Sequence, residues 1–253
     1  MSFKYLLFFF MLSVSGLAGE SDQYYNDLFE EANLAYKEGA YDSAKSIYGE
    51  IAQNGIISSE LFYNIGNCNY KIGAIASAIL NYERALRLAP DNEDIRYNLE
   101  IANNRITDKI EPIDTFFLTS WLQNLALTFH PDIWGWVSLG LFAFMIVAFS
   151  LFIIGKESEF RKLGFISSVI CLFLFAVAFG LANSALHWKN KTEAIVFAPT
   201  INVKSEPSLN GTDQFVLHEG VKVSVIDEDN DWVRIKLGDG NSGWVSRQSI
   251  ESI

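Results

Sequence analysis

The side chains that could carry out chemistry in this chain are few and far apart. Cys68 and Cys171, and the three histidines His130, His187 and His218, stand singly, with no CxxC pair and no histidine close to either thiol. A metal centre or a thiol–imidazole couple needs such groups at short, defined spacing. Cys68 falls where a helix usually packs inward, which leaves two roles open, a small buried hydrophobe or a redox thiol. The run Asp227-Glu-Asp-Asn-Asp231 gathers carboxylates without the ligand spacing of a calcium loop, so a solvated loop is its simplest reading. No nucleophile elbow, phosphate loop or zinc motif occurs. The residues therefore predict a non-enzymatic protein with no metal site and no cofactor, whose chemistry is recognition.

Charge narrows the partners. The formal net charge is −11, with 18 acidic and 8 basic residues from Gly19 to Asp132 and 10 and 7 from Lys189 to Ile253. Binding a phosphate backbone needs a basic surface, so no nucleic acid partner is expected.

The elements that must position any recognition site are set first by two charge-free apolar runs, Ile133 to Gly155 and Leu163 to Trp188, of 23 and 26 residues. A helix rising about 1.5 Å per residue needs roughly 20 residues to cross a bilayer core of about 30 Å. Within the two runs Leu139 to Ile154 and Val169 to Leu181 are apolar on every face, unlike the core helices of a soluble protein, which carry a polar stripe. Trp134, Trp136 and Trp188 sit at the run ends, where amphipathic rings favour the headgroup layer. The loop 156–162 holds three basic residues, which the positive-inside rule places in the cytoplasm, so both flanking modules would face the other compartment. Lys4, the apolar stretch Tyr5 to Val14 and the small residues before Gly19 predict a signal peptide over 1–18; an uncleaved anchor is the rival reading.

Between these landmarks the chain repeats itself at an offset of 34 residues, aligning 25–58 with 59–92. Tyr36-Lys37 recurs as Tyr70-Lys71, Gly39 as Gly73, Ala44 as Ala78 and Tyr48 as Tyr82. Helix pairs follow, with glycine at the turn, Gly66 and Ala78 facing each other at a close approach, and Pro90 as the stop. The segment 93–107 restarts the register and reads as a lone capping helix, ahead of a break at Glu111-Pro112.

On these residues, with Phe62, Ile65, Ala85 and Pro90, the segment 19–110 resembles the tetratricopeptide repeat family. The resemblance implies a concave face for extended peptides or partner helices. That face would show Asn33, Tyr36, Lys37, Tyr63, Asn64, Asn67, Tyr70, Lys71, Tyr97 and Arg105. Asn33 and Asn64 match positions of the chaperone-type carboxylate clamp, but Phe29, Asp94 and Asn98 stand where its cations belong, so that clamp is not expected. The segment 111–132 follows, with Leu118, Trp121, Leu122, Leu125 and Phe129 at helical spacing; it reads either as an interfacial amphipathic helix or as one more buried helix of the repeat module.

After Trp188 the pattern changes to short alternating runs separated by Pro207-Ser208, Asn210-Gly211, Glu219-Gly220 and Gly238-Asp-Gly240, which predicts a small barrel over 189–253. The runs Asn202-Val-Lys-Ser205, Trp232-Val-Arg-Ile235 and Gly243-Trp-Val245 resemble a bacterial SH3 domain, a family often found on cell-wall peptides or glycans. Trp232 and Trp244 either form an aromatic binding shelf or belong to the barrel core.

The fold class expected is thus a multidomain membrane protein: an all-α tetratricopeptide array, a two-helix transmembrane hairpin (133–155 and 163–188) and a small all-β SH3-like barrel. This order of parts resembles the BatE-type proteins of the Bat (aerotolerance) operons. The resemblance implies a scaffold of the bacterial inner membrane with both modules periplasmic, and envelope-protein partners that include von Willebrand A-domain membrane proteins. Peptidoglycan binding through the SH3 domain is the alternative function, and the lipid bilayer is a partner in either case.

Overall fold

The computed structural model describes residues 23–110, 117–189 and 191–253. The signal-peptide reading of 1–18, the break at Glu111-Pro112 and the side chain of Trp188 lie outside the described residues. The chain divides into two compact units. One joins the residues up to Pro112 with Thr192–Ile253, and the other is Ile113–Lys191.

In the first unit, helix α1 covers residues 23–37. It is followed by α2 (Tyr41–Gln53), α3 (Ser59–Lys71), α4 (Ile75–Leu88) and α5 (Glu93–Asn103). The turns between the paired helices need a left-handed residue, and Gly39 and Gly73 supply it at φ +83° and +85°. Ser58 caps α3 by accepting from the backbone N–H of Leu61, and Asn92 caps α5 by accepting from those of Asp94 and Ile95.

The buried stripes of these helices form two clusters. Ala32, Ala44, Tyr48, Ile51, Leu61, Ile65 and Cys68 close the first pair against α3. Ile79, Tyr82, Ala85, Ile95, Leu99 and Ala102 join α4 to α5. A Cβ at Gly66 would stand 2.6 Å from Cδ1 and Cε1 of Tyr82, so the missing side chain makes room for that buried ring.

The same unit contains an antiparallel sheet: β1 (Thr192–Val196), β2 (Thr200–Lys204), β3 (Asp213–His218), β4 (Lys222–Asp229), β5 (Trp232–Lys236), β6 (Ser242–Ser246) and β7 (Ile250–Ser252). Its strand order is β3-β2-β6-β5-β4-β1-β7. Alternation sends Val203, Leu217, Val223, Val233, Ile235 and Val245 into one core.

The helical array and the sheet, far apart in the sequence, share an interface. Ile195 of β1 is fully buried in the α4–α5 cluster, with Phe197 and Ile253 packed against it. Ile106 and Ile110, just after α5, pack on the core of the sheet. The Nζ of Lys222 lies 2.9 Å from a carboxylate oxygen of Glu83 and 2.9 Å from one of Glu193. Arg84 pairs with Glu251 at 3.1 Å and donates to the carbonyl of Ser252 at 2.8 Å. Two separate modules were expected from the sequence; the structure makes them one body.

The second unit holds α6 (Phe117–Leu127), α7 (Pro131–Ile154) and α8 (Ser158–Lys189). Helices α7 and α8 are both long and apolar enough to cross a membrane. Residues Ser158–Lys162, expected in the loop 156–162, are helical, so the connection shrinks to Gly155–Glu157. The two helices approach closely at Gly164, where a Cβ would meet the backbone N of Phe152 at 2.7 Å and O of Ala148 at 2.8 Å. Helix α6 packs Ala126 on Leu181 and Ala185, and the indole N–H of Trp134 donates to the Ala126 carbonyl at 3.0 Å. Phe117, Leu118, Trp121 and Leu122 of α6 remain exposed.

Candidate functional site

Helix α3 carries Tyr63, Asn67, Tyr70 and Lys71 at spacings that place them on one face of a helix. Tyr36 from α1, Tyr82 from α4, and Asn98 and Ile101 from α5 complete a groove of about 370 Å³.

A hydrogen-bond network fixes its floor. The Tyr82 hydroxyl donates to Asn67 Oδ1 at 2.8 Å, and Asn98 Nδ2 donates to the same oxygen at 3.0 Å and to the Tyr63 hydroxyl oxygen at 2.8 Å. Tyr63 and Tyr82 meet ring to ring at 6.0 Å, and the Arg105 guanidinium sits over the Tyr70 ring at 5.3 Å. These contacts hold the aromatic walls before any ligand arrives. Burial raises the pKa of Tyr82 and Tyr36 above the ordinary phenol value, so the groove presents neutral hydroxyls.

Of the residues expected on the recognition face, the structure gathers Tyr36, Tyr63, Asn67, Tyr70 and Lys71 around the groove, with Arg105 against Tyr70. Asn33 is engaged elsewhere, accepting from the Tyr48 hydroxyl at 2.6 Å. Asn64 is half-buried, while Lys37 and Tyr97 are exposed and outside the groove lining. Sequence reasoning did not count Tyr82 or Asn98 among the site residues. Asn98 follows Asn64 by the repeat offset of 34, and that signal could have found it.

Cys68 is fully buried in the α1–α3 cluster, and burial pushes its thiol pKa up to about 11. That favours the packing role over a reactive thiolate. No group of His, Cys, Asp or Glu among the described residues is arranged to hold a metal ion.

A second candidate surface lies on the outer side of the sheet. Val233 and Ile235 of β5, and Gly243 and Val245 of β6, point inward. Trp232, Arg234 and Trp244 therefore point outward, with Arg234 directly opposite Trp244 and Trp232 opposite Ser246. Both indoles are half-buried and neither belongs to the core cluster.

Residues 199–251 of this sheet match a family model described as "Bacterial SH3 domain". Those residues are a bacterial SH3 domain. The chain is also 30% identical over 77 residues to YrvJ of Bacillus subtilis (strain 168), which carries the name of an N-acetylmuramoyl-L-alanine amidase. The match takes in 30% of this chain and 14% of YrvJ. A solved structure of NlpC2 from Trichomonas vaginalis aligns at 16% identity and a TM-score of 0.23, covering 25% of this chain and 26% of that one. The chain thus spans a small part of either protein.

In the SH3 domain the acidic run Asp227–Asp231 forms the end of the β4–β5 hairpin, where Asn230 takes a left-handed φ of 51°. Arg247 partly neutralises it through Glu228 at 2.6 Å.

Proposed function

We propose that this chain is a non-enzymatic, membrane-anchored recognition protein of the bacterial envelope, in which the SH3 domain engages the cell wall and the tyrosine groove holds a protein partner. The observation that carries the reading is the bacterial SH3 domain at residues 199–251. Its support is the similarity to a protein named for the N-acetylmuramoyl-L-alanine bond, which joins glycan to peptide in peptidoglycan. The outward Trp232 and Trp244 give this surface aromatic area suited to sugar or peptide contact.

Helices α7 and α8 act as a membrane hairpin, and the basic residues Lys156, Arg161 and Lys162 favour a cytoplasmic side for its connection. The flanks of the hairpin belong to one compact unit, which favours a single compartment for both, the periplasm.

The groove supports the second part of the reading, a scaffold for envelope proteins. Its helical array is read as a pair of tetratricopeptide units with a cap, on the strength of the 34-residue offset and the matching turns at Gly39 and Gly73. With the spans and the SH3 domain, that order favours a Bat-type assembly whose partners include von Willebrand A-domain membrane proteins.

The test uses the full chain in detergent, sedimented with purified sacculi. Retention should fall at least fivefold in Trp232→Ala/Trp244→Ala and stay unchanged in Tyr63→Ala/Tyr70→Ala. Sacculi that retain no protein remove the wall reading. Crosslinking and mass spectrometry of native membranes tests the other half, since Tyr63→Ala/Tyr70→Ala should lose the partner while the tryptophan variant keeps it.

A further inference from the structure

Helix α6 belongs to the same compact unit as the hairpin, and between Phe117 and Leu127 it holds no Asp, Glu, Lys or Arg. Residues 128–130 alone join it to α7. Its contact with the hairpin lies at its C-terminal end. There Ala126 is fully buried against Leu181 and Ala185 of α8, and the Trp134 indole N–H donates to the Ala126 carbonyl at 3.0 Å. At the other end Phe117, Leu118, Trp121 and Leu122 are exposed. A third membrane span is excluded by length, because 11 helical residues reach only about 16 Å, roughly half of a bilayer core.

The contact fixes the level of α6 along the spans. Leu181 and Ala185 stand two turns and one turn before Lys189, the last residue of α8, which is about 12 and 6 Å from that end. Trp134 is in the first turn of α7, and the neighbouring Trp136 is exposed. Helix α7, with 24 residues, is about 36 Å long and overhangs a core of about 30 Å. Helix α6 therefore meets the hairpin where acyl chains give way to headgroups, the layer that tryptophan favours.

Its rotation fits that level. Successive helical residues turn by roughly 100°, so Leu118, Trp121, Leu122 and Leu125 form one stripe whose midline lies about a quarter-turn from Ala126. A helix lying flat beside an upright one needs this right angle, one face turned sideways to the protein and the next turned down into the lipid. Gln123 and Asn124 fall away from the stripe, on the side left for water. Beyond α6, the exposed Phe129 continues the stripe and meets Trp134 edge to face at 5.7 Å, which joins it to the outer surface of the hairpin.

We infer that α6 is an in-plane membrane anchor at the end of the hairpin opposite its connection, with Leu118, Trp121 and Leu122 sunk into the boundary between headgroups and acyl chains. The partner of this apolar face is the lipid surface. The inference rests on α7 and α8 crossing the membrane, as proposed above, and adds a third contact with the bilayer that crosses nothing.

The test places a nitroxide on single cysteines of the full chain, reconstituted alone into vesicles of phosphatidylethanolamine and phosphatidylglycerol. Leu118→Cys, Trp121→Cys, Leu122→Cys and Asn124→Cys are all exposed positions, and the native thiols Cys68 and Cys171 are buried. Each label is scored by its collisions with oxygen, which concentrates among acyl chains, against those with a water-soluble nickel chelate. The ratio at 118, 121 and 122 should exceed that at 124 by about threefold or more. Labels at 118, 121 and 122 that meet the chelate as freely as the one at 124 overturn the inference, and so do labels there that meet neither reagent, since protein then covers the face. Phe173→Cys, at an exposed site midway along α8, separates the two readings. If its label meets oxygen while those on α6 do not, the hairpin stands and the in-plane anchor is wrong; if it meets the chelate, the membrane reading itself falls.

Discussion

Asp108 grips His218 twice: one carboxylate oxygen accepts the backbone N–H of His218 at 2.7 Å, and the other faces its ring Nδ1 at 3.0 Å. The two residues are 110 positions apart, and the whole α6–α8 segment lies between them in sequence. The contact pins the segment after α5 to the end of β3, beside the Ile106 side chain that fills the space over Gly220.

Asp108→Ala removes both bonds and leaves the His218 N–H without its acceptor, whereas His218→Ala keeps the backbone bond. A hydrogen bond to a charged group contributes about 1.5–3 kcal/mol, so Asp108→Ala should cost about that much and His218→Ala less than about 1 kcal/mol. Urea unfolding of the full chain in detergent measures the difference. Equal losses would show that the ring contact, and not the backbone bond, fastens the domain.

Lys222 offers a second hold on the same interface. Burial alone would lower its pKa, but Glu83 and Glu193 outweigh that and raise it above the usual 10.5. The sign follows: a raised native pKa gives stability that is fully present below 10.5 and is lost as pH rises through the higher native value. Unfolding midpoints should therefore show no Lys222-linked change from pH 7 to 10 and fall above that. In Lys222→Met, Glu83 and Glu193 face each other without their shared cation. Because the lysine is partly exposed, solvent screening trims the cost to about 1–2 kcal/mol, with partial recovery in high salt. A variant that unfolds with the same midpoint as the parent would remove the cluster from the account of docking.

Two glycines of the array should fail for different reasons. At Gly66 a methyl group would enter the ring of Tyr82, which is 1% exposed and held by its hydroxyl bond to Asn67. Gly66→Ala should cost about 1–3 kcal/mol by overpacking, and Tyr82→Leu in the same chain should recover part of it. Gly73 has open space around it but a φ of +85°, so Gly73→Ala should cost about 1 kcal/mol through the backbone alone, with no rescue from Tyr82→Leu. Thermal unfolding of the four variants separates overpacking from backbone strain.

The SH3 domain was legible because strand alternation and its turn residues are local signals, and so were the two long apolar helices. The tyrosines on α3 could be read from helical spacing. Their anchoring could not: the bond from Tyr82 to Asn67 joins residues 15 apart on different helices, and an asparagine that braces a fold looks, in sequence, like one that binds a ligand. The docking of the array on the sheet was invisible for a stronger reason. It depends on singly placed charges such as Glu83, Asp108 and Lys222, each more than 100 residues from the group it meets across the interface, and isolated charges read as solvated surface. Trp232 and Trp244 were open between core and shelf because strand parity depends on register, which the pairing of β5 with β6 decides.

The one-unit arrangement of the flanks makes a prediction about the membrane. If α7 and α8 cross it as a hairpin, residues before α6 and residues in the SH3 domain must sit on the same side, because the interface through Ile195, Lys222 and Asp108 cannot form across a bilayer. Single cysteines at Asn104 and Leu209, both exposed, should label together with a membrane-impermeant maleimide in spheroplasts, and one at Ser158 only after permeabilisation. Background from the native thiols should be small. Cys171 is buried, and Cys68 is buried with a thiol pKa of about 11, which leaves about one part in ten thousand as thiolate at pH 7. Opposite labelling of Asn104→Cys and Leu209→Cys would break the docked unit apart, whereas joint protection of both with labelling at Ser158→Cys would keep the unit and invert its orientation.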